Sequence, residues 1–175
     1  KDMEGKNNNI IKLPFQIPKY KTYSINTAIN GILKAYGNDE VWLYNNYISL
    51  WIYARRQRKE YMVDFKYDRD INYYEQCPVL ETVILDVRKN QDVNDIIKNS
   101  IDNQEYIFLA VDMYFIDSWW KDIEEKEHSE HEMLIWGYDN EKKVFFTADF
   151  FKHTYSIQEI SYLDFRMAFD AHAGY

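Results

Sequence analysis

The stretch His131-Glu-Met-Leu-Ile-Trp-Gly-Tyr-Asp139, followed by Lys143-Val-Phe-Phe-Thr-Ala-Asp149, predicts a β-hairpin. Both segments are rich in apolar and aromatic residues, and the polar residues between them suit a tight turn. A hairpin of this length places His131 and Asp149 at the same end of two neighbouring strands. A carboxylate in that position can orient an imidazole for proton transfer. The pair lacks a nucleophile, so the function depends on where the rest of the chain supplies one.

A helix is predicted upstream of this hairpin. Apolar residues recur at helical spacing from Ile25 to Tyr36. Ser24 is at the N-cap position of this helix, and Gly37 follows as a residue that ends helices. The other predicted elements are helices at 39–47, 92–103 and 161–172, strands at 49–55, 60–66 and 153–157, an extended segment at 78–86, and a buried central strand at 106–114. Helices followed by a mostly antiparallel sheet predict an α+β fold.

The composition predicts a single domain over residues 1–175, with residues 1–12 as a flexible lead-in. Hydrophobic residues make up 46% of the 175, enough for one core. A net charge of −8 argues against nucleic acid or an anionic membrane as the main partner. A basic partner or a positively charged small molecule fits this charge better.

Cysteine usage and hydropathy indicate the compartment. The one cysteine, Cys77, excludes a disulfide framework and a cysteine-ligated metal site. The sequence has no apolar run of transmembrane length and no signal-peptide pattern. We therefore expect a cytoplasmic protein in which Cys77 is a buried structural thiol.

Ser24 is the candidate for the missing nucleophile. In a papain-like hydrolase the nucleophile opens the first long helix, where the helix dipole and a facing imidazole lower the pKa of a thiol. The histidine and its orienting group follow much later, on strands of the sheet. Ser24 and His131 fit this order, although serine is rarely used in this arrangement. The alternatives are an ordinary N-cap for Ser24 and a hydrogen-bonded strand histidine for His131.

Several blocks of the sequence carry a resemblance to a known family. They are Ser24-Ile-Asn-Thr-Ala28 with Tyr36-Gly37, Phe108-Leu-Ala-Val-Asp-Met-Tyr-Phe115, the His131–Asp139 segment, and Thr147-Ala-Asp149. In this order, across about residues 20–150, the chain resembles the N-terminal domain of the butirosin biosynthesis protein H family. That family is similar to papain-like cysteine peptidases and to the peptidases that cut double-glycine leaders of bacteriocins. The resemblance implies a papain-like fold, in which a nucleophile helix packs on an antiparallel sheet.

The resemblance also implies acyl transfer in bacterial antibiotic biosynthesis. The family moves an acyl chain from an acyl carrier protein thioester onto an amine and so forms an amide. An acyl or peptidyl carrier protein and a small amine acceptor are then the partners, and the only cofactor is the carrier's phosphopantetheine. Carried over by position, Ser24 takes the acyl group, His131 activates it and Asp149 orients His131.

The family pattern has cysteine at the position of Ser24. Three explanations are open: an engineered Cys→Ser replacement, a natural serine variant, and a protein that has lost its activity. We favour the engineered replacement, because every other feature of the predicted site is kept.

Four more residues are predicted in the site, each with a structural alternative. An oxyanion hole needs the backbone N–H of residue 24 and a side-chain donor, for which Gln16 is available. Asp112, at the end of a buried strand, either faces the cleft or is a hydrogen-bonded structural aspartate. Trp119 and Trp120 lie on a predicted loop, where they either cover the acyl chain or simply pack.

Two charged segments complete the predictions. The run His128-Ser-Glu-His131-Glu132 lacks the spacing of the His-Glu-x-x-His helix motif, so we expect no metal. The basic turn Arg55–Lys59 either contacts the acidic face or the phosphopantetheine of a carrier protein, or is a solvated charge cluster.

Three function classes therefore stay open. An amide-forming acyltransferase predicts acylation only by a carrier-bound thioester. A cysteine-type peptidase predicts peptide cleavage once residue 24 is a thiol. A non-catalytic binding module predicts neither reaction.

Overall fold

The protein has an α+β architecture built on an antiparallel sheet. A computed structural model describes residues 9–21, 23–46, 50–55, 60–65, 77, 79–85, 87, 91–120, 126–151 and 154–172. The strands are β1 (Ile10–Lys12), β2 (Leu50–Arg55), β3 (Glu60–Phe65), β4 (Ile107–Asp112), β5 (Glu130–Asp139), β6 (Val144–Phe151) and β7 (Thr154–Ser161). The helices are α1 (Ser24–Ala35), α2 (Asp39–Asn46), α3 (Val93–Asp102), α4 (Asp117–Trp120) and α5 (Tyr162–His172).

The main sheet has five strands, and β5 is its central strand. One side of β5 pairs with β4 over its first half and with β1 over its last residues, while β6 and then β7 follow on the other side. Strands β2 and β3 form a separate two-stranded sheet. All of these pairings are antiparallel, and the predicted hairpin of β5 and β6 is confirmed.

The two strands of this hairpin separate at the end that carries His131 and Asp149. Pairing between β5 and β6 begins at Leu134 opposite Ala148. Before that point His131 pairs with Val111 of β4, and after it Asp149 pairs with Ser156 of β7.

Helix α1 packs on the sheet through its apolar stripe. Ala28 and Ile32 lie in a core cluster with residues of β5, β6 and β7: Leu134, Trp136, Phe146, Ala148 and Tyr155. Ile29 and Leu33 face a small cluster with Trp42 of α2 and Cys77. A larger core brings α3 and α5 together with β4, β5 and β6. None of the helices in the described part of the chain has the length and apolar character needed to cross a membrane.

Several sequence-based predictions need correction. The lead-in predicted over residues 1–12 is wrong at its end, because Ile10–Lys12 form β1 on β5; a strand therefore precedes the helices. The predicted central strand at 106–114 is β4, which pairs with β5 alone among the described residues. The loop predicted at Trp119 is the short helix α4. Most of the basic turn Arg55–Lys59 and the start of the predicted strand at 153 lie outside the described residues.

Cys77 is buried, with a relative exposure of 1%, and burial raises the pKa of its thiol. A raised pKa keeps the thiol protonated near neutral pH, and only the thiolate reacts with alkylating agents. We expect the folded protein to resist iodoacetamide at pH 7.5, and one site to be alkylated in denaturant, as read by intact mass. Rapid labelling of the folded protein would contradict the buried position.

Candidate active site

Ser24 and His131 meet at the end of the hairpin where β5 and β6 no longer pair. The hydroxyl Oγ of Ser24 lies 3.1 Å from Nε2 of His131, although 107 residues separate them along the chain. Helix α1 supplies Ser24 as its first residue, and β5 supplies His131 one residue after it begins. The His131 side chain is 30% exposed, so the pair is accessible from solvent.

Asp149 lies behind this pair as a fully buried carboxylate. Its Oδ2 is 2.8 Å from His131 Nε2, and its side chain has no solvent exposure. Neither carboxylate oxygen of Asp149 accepts a hydrogen bond from the imidazole. One ring nitrogen thus faces both Ser24 and Asp149. The contact has the distance of an ion pair, without the alignment of a hydrogen bond.

The N-terminus of α1 has no capping side chain. The N-cap residue is Tyr23, in extended conformation, and its side chain makes no capping hydrogen bond. The N-cap interpretation of Ser24 is therefore wrong, since Ser24 is already inside the helix and its hydroxyl is directed to His131. Backbone N–H groups at a helix start carry a partial positive charge and suit a developing oxyanion.

Trp119 packs against the imidazole. The ring centroids of Trp119 and His131 are 4.6 Å apart at an interplanar angle of 44°, and Trp119 also contacts Phe151 edge to face. Of the two tryptophans predicted to bind substrate, only this one reaches the site. The indole N–H of Trp120 instead donates to the carbonyl of Met113 at 2.6 Å, which anchors α4 to the preceding turn.

Gln16 is not brought to Ser24. Its backbone N–H donates to the carbonyl of Gly31 at 3.2 Å, and its side chain is exposed. Gly31 lies two helical turns beyond Ser24, which is about 10 Å along the axis. A glutamine side chain does not span that distance back to the helix start, so the predicted oxyanion role of Gln16 does not fit the structure.

Asp112 does not face the cleft. Its side chain is 2% exposed and accepts hydrogen bonds from the backbone N–H groups of Tyr114 and Ser129. The Nδ1 of His128 lies 2.6 Å from its other oxygen. Burial works to raise the pKa of Asp112, but these hydrogen bonds outweigh it and hold the pKa below its ordinary value. The structural alternative is thus the one observed.

Glu132 is a residue at the site that the sequence reasoning missed. It follows His131 on β5, and the charges of nearby residues of the site influence the pKa of its carboxyl group. Partial desolvation raises the pKa of Glu132; His131 opposes this rise, while Glu130 and Asp149 add to it. Its position in the charged run Glu130-His131-Glu132 that opens β5 was the available signal. Among the described residues, no group of three or more His, Cys, Asp or Glu side chains is placed to hold a metal ion.

Comparisons with known proteins add no relative to this geometry. No protein-family model, no curated protein and no solved structure matches the chain. The functional interpretation therefore rests on the site itself and on the resemblance in its sequence blocks.

Proposed function

We propose that the protein is a papain-like acyltransferase whose acyl-enzyme forms at residue 24. The observation that carries the proposal is the contact of Ser24 with His131 and of His131 with the buried Asp149, at the start of α1. A nucleophile, a base and an orienting carboxylate in reach of one another are the parts that covalent acyl transfer needs. An N-cap serine and a structural histidine would not require this convergence.

The first step is acylation of residue 24. His131 takes the proton from the side chain of residue 24 as that side chain attacks the thioester carbonyl. Collapse of the tetrahedral intermediate breaks the C–S bond, and the proton goes to the departing pantetheine thiol. The backbone N–H of residue 24 supports the oxyanion at the start of α1.

The base needs one ring nitrogen for each partner. In the observed orientation Nε2 faces both Ser24 and Asp149. We propose that the ring turns so that Nε2 stays on Asp149 and Nδ1 faces residue 24. Asp149 then accepts the Nε2 proton, and the lone pair of Nδ1 is free to receive the proton of the nucleophile.

The second step is aminolysis. An amine attacks the acyl-enzyme, loses a proton to His131, and the bond between the acyl carbon and residue 24 breaks with return of that proton to residue 24. The net charge of −8 and the carboxylates near His131 support a cationic amine as acceptor. Trp119, packed against the imidazole, offers an apolar surface for the acyl chain next to the base.

A cysteine-type peptidase is the second candidate, because the same three groups cleave peptides in papain-like enzymes. Serine at residue 24 supports a third possibility, a binding module that keeps the fold without catalysis. The substrate that acylates residue 24 separates the first two candidates.

The test is intact-protein mass spectrometry of the Ser24→Cys protein with an acylated carrier protein. We expect a mass gain of one acyl group on residue 24 that disappears on addition of an amine, with amide as the product. Acylation by a peptide ester and cleavage of peptides, without acylation by the carrier, would favour a peptidase. No adduct from either substrate in a folded protein would refute both enzymatic proposals.

A further inference from the structure

Asp112 lies where two parts of the active site join the sheet. It is the last residue of β4, paired with Glu130, and its neighbour Val111 pairs with His131. Its carboxylate reaches across to the start of β5 through the N–H of Ser129, and the carbonyl of Ser129 accepts from the N–H of Met113 at 2.8 Å. These bonds fix the chain two residues before His131.

The same carboxylate also holds the segment that leads to Trp119. It accepts from the N–H of Tyr114 at 3.0 Å and so caps the 3₁₀ turn Met113–Phe115. The N–H of Trp119 donates to Ile116, which closes the chain from this turn to α4. Because Trp119 packs on the His131 imidazole, both contacting rings are positioned from one buried group.

His128 secures the carboxylate from outside. Its side chain is 54% exposed, yet its Nδ1 lies 2.6 Å from the buried Oδ2 of Asp112. Since a carboxylate can only accept, Nδ1 carries the proton. The ring stacks on Tyr114 with centroids 4.3 Å apart and an interplanar angle of 11°. The bond between His128 and Asp112 therefore joins the segment before β5 to the end of β4.

We propose that Asp112, held by His128, is a positioning residue that sets the geometry between the His131 imidazole and the Trp119 indole. It touches neither Ser24 nor His131 in its hydrogen bonds, so its effect passes through Ser129 on one side and the 3₁₀ turn on the other. This inference rests on the proposed role of His131 as the base, and it explains why a residue away from the cleft matters to the reaction.

The first experiment measures the geometry between the His131 and Trp119 rings and needs no catalysis. In the Ser24 protein, NMR of the His131 ring protons should show the upfield shift produced by the Trp119 indole, with assignment by His131→Asn. We expect Asp112→Asn to reduce this shift by at least about half, because the amide does not replace the charge-assisted bond to His128. Asp92→Asn is the matched control: Asp92 caps α3 through the N–H groups of Asn94 and Asp95. It should leave the His131 shift unchanged.

The second experiment measures the reactivity of the thiol at residue 24. In the Ser24→Cys background, Asp112→Asn should lower the rate of alkylation by iodoacetamide at pH 7 by about 10- to 100-fold and move its pH profile towards that of a free thiol. Equal His131 shifts and equal profiles for Asp112→Asn and Asp92→Asn would overturn the inference. If Asp112→Asn does not fold, His128→Gln decides: a partial loss of the shift supports the inference, and an unchanged shift overturns it.

The two readouts separate this inference from the proposed function. A reduced ring shift without any acyl transfer by Ser24→Cys would refute the acyltransferase and keep the positioning role. An unchanged shift with normal acylation would refute the positioning role alone.

Discussion

Replacing His131 by alanine in the Ser24→Cys protein is expected to lower the rate of acylation at residue 24 by at least about a thousandfold. A positioned base accelerates such a step by a factor on the order of 10² to 10⁴. His131 is the base within reach of the nucleophile, with its Nε2 3.1 Å from Ser24 Oγ. Its loss also removes the imidazolium that forms beside residue 24 once the proton has moved from the thiol to the ring. Single-turnover mass spectrometry with an acyl thioester measures the effect.

His172→Ala is the matched control for this change. His172 lies at the end of α5, and its Nε2 is 4.0 Å from Glu130. We expect acylation in this variant to stay within about twofold of the Ser24→Cys protein, since His172, although half-buried and near Glu130, has no part in the proposed proton transfer. Equal rates with and without His131 would show that the thiol reacts unaided, and the proposed base would be rejected.

Gly137→Ala is expected to lower the free energy of unfolding by about 2–3 kcal/mol. Gly137 lies in β5 opposite Lys12, at the irregularity where the register with β6 shifts. A Cβ at this position would overlap the carbonyl oxygen of Ile11 and lie 3.0 Å from the Cα of Lys12. These are backbone atoms, so no side-chain rotation relieves the overlap, and β1 must move off the central strand.

Thermal unfolding measures this loss, which for a chain of this length corresponds to a melting temperature lower by about 5–10 °C. Gly37→Ala is the control, because Gly37 has φ +72° but open space around its Cα. That backbone conformation alone should cost about 1 kcal/mol. An alanine at 137 that costs no more than the one at 37 would mean that β1 is not held as described.

The helices and the hairpin were largely predictable because their signals are local. The apolar stripe from Ile25 to Leu33 predicts α1 within one or two residues, and alternation with a polar turn predicts β5 and β6. Strand β1 was missed because three residues carry no pattern of their own and are held by pairing with the end of β5. The central position given to the 106–114 segment was wrong for a similar reason. An apolar run also suits a strand with one neighbour that helices cover in part, and in β4 only Val111 and Asp112 are buried.

Ser24, His131 and Asp149 were predictable from the sequence, whereas the residues around them mostly were not. His131 and Asp149 follow from the hairpin, and Ser24 follows from the start of α1. Gln16 was placed from its distance along the sequence, but the strand–helix connection lays its backbone against Gly31 instead. Nothing in the sequence distinguishes Trp119 from Trp120, because that choice depends on the direction in which α4 leaves its turn.

The sequence by itself determined the α+β class, the hairpin that carries His131 and Asp149, and the helix that begins at Ser24. These follow from residue periodicity and turn chemistry, which act over a few residues. Only the tertiary structure decided that β5 and β6 separate beyond Leu134 and Ala148, so that the start of α1 meets His131 there. It also decided that the Asp112 carboxylate is buried and bound by His128 and does not face the cleft. Both outcomes depend on packing between distant segments, where burial of apolar surface and the pairing of buried polar groups are satisfied together.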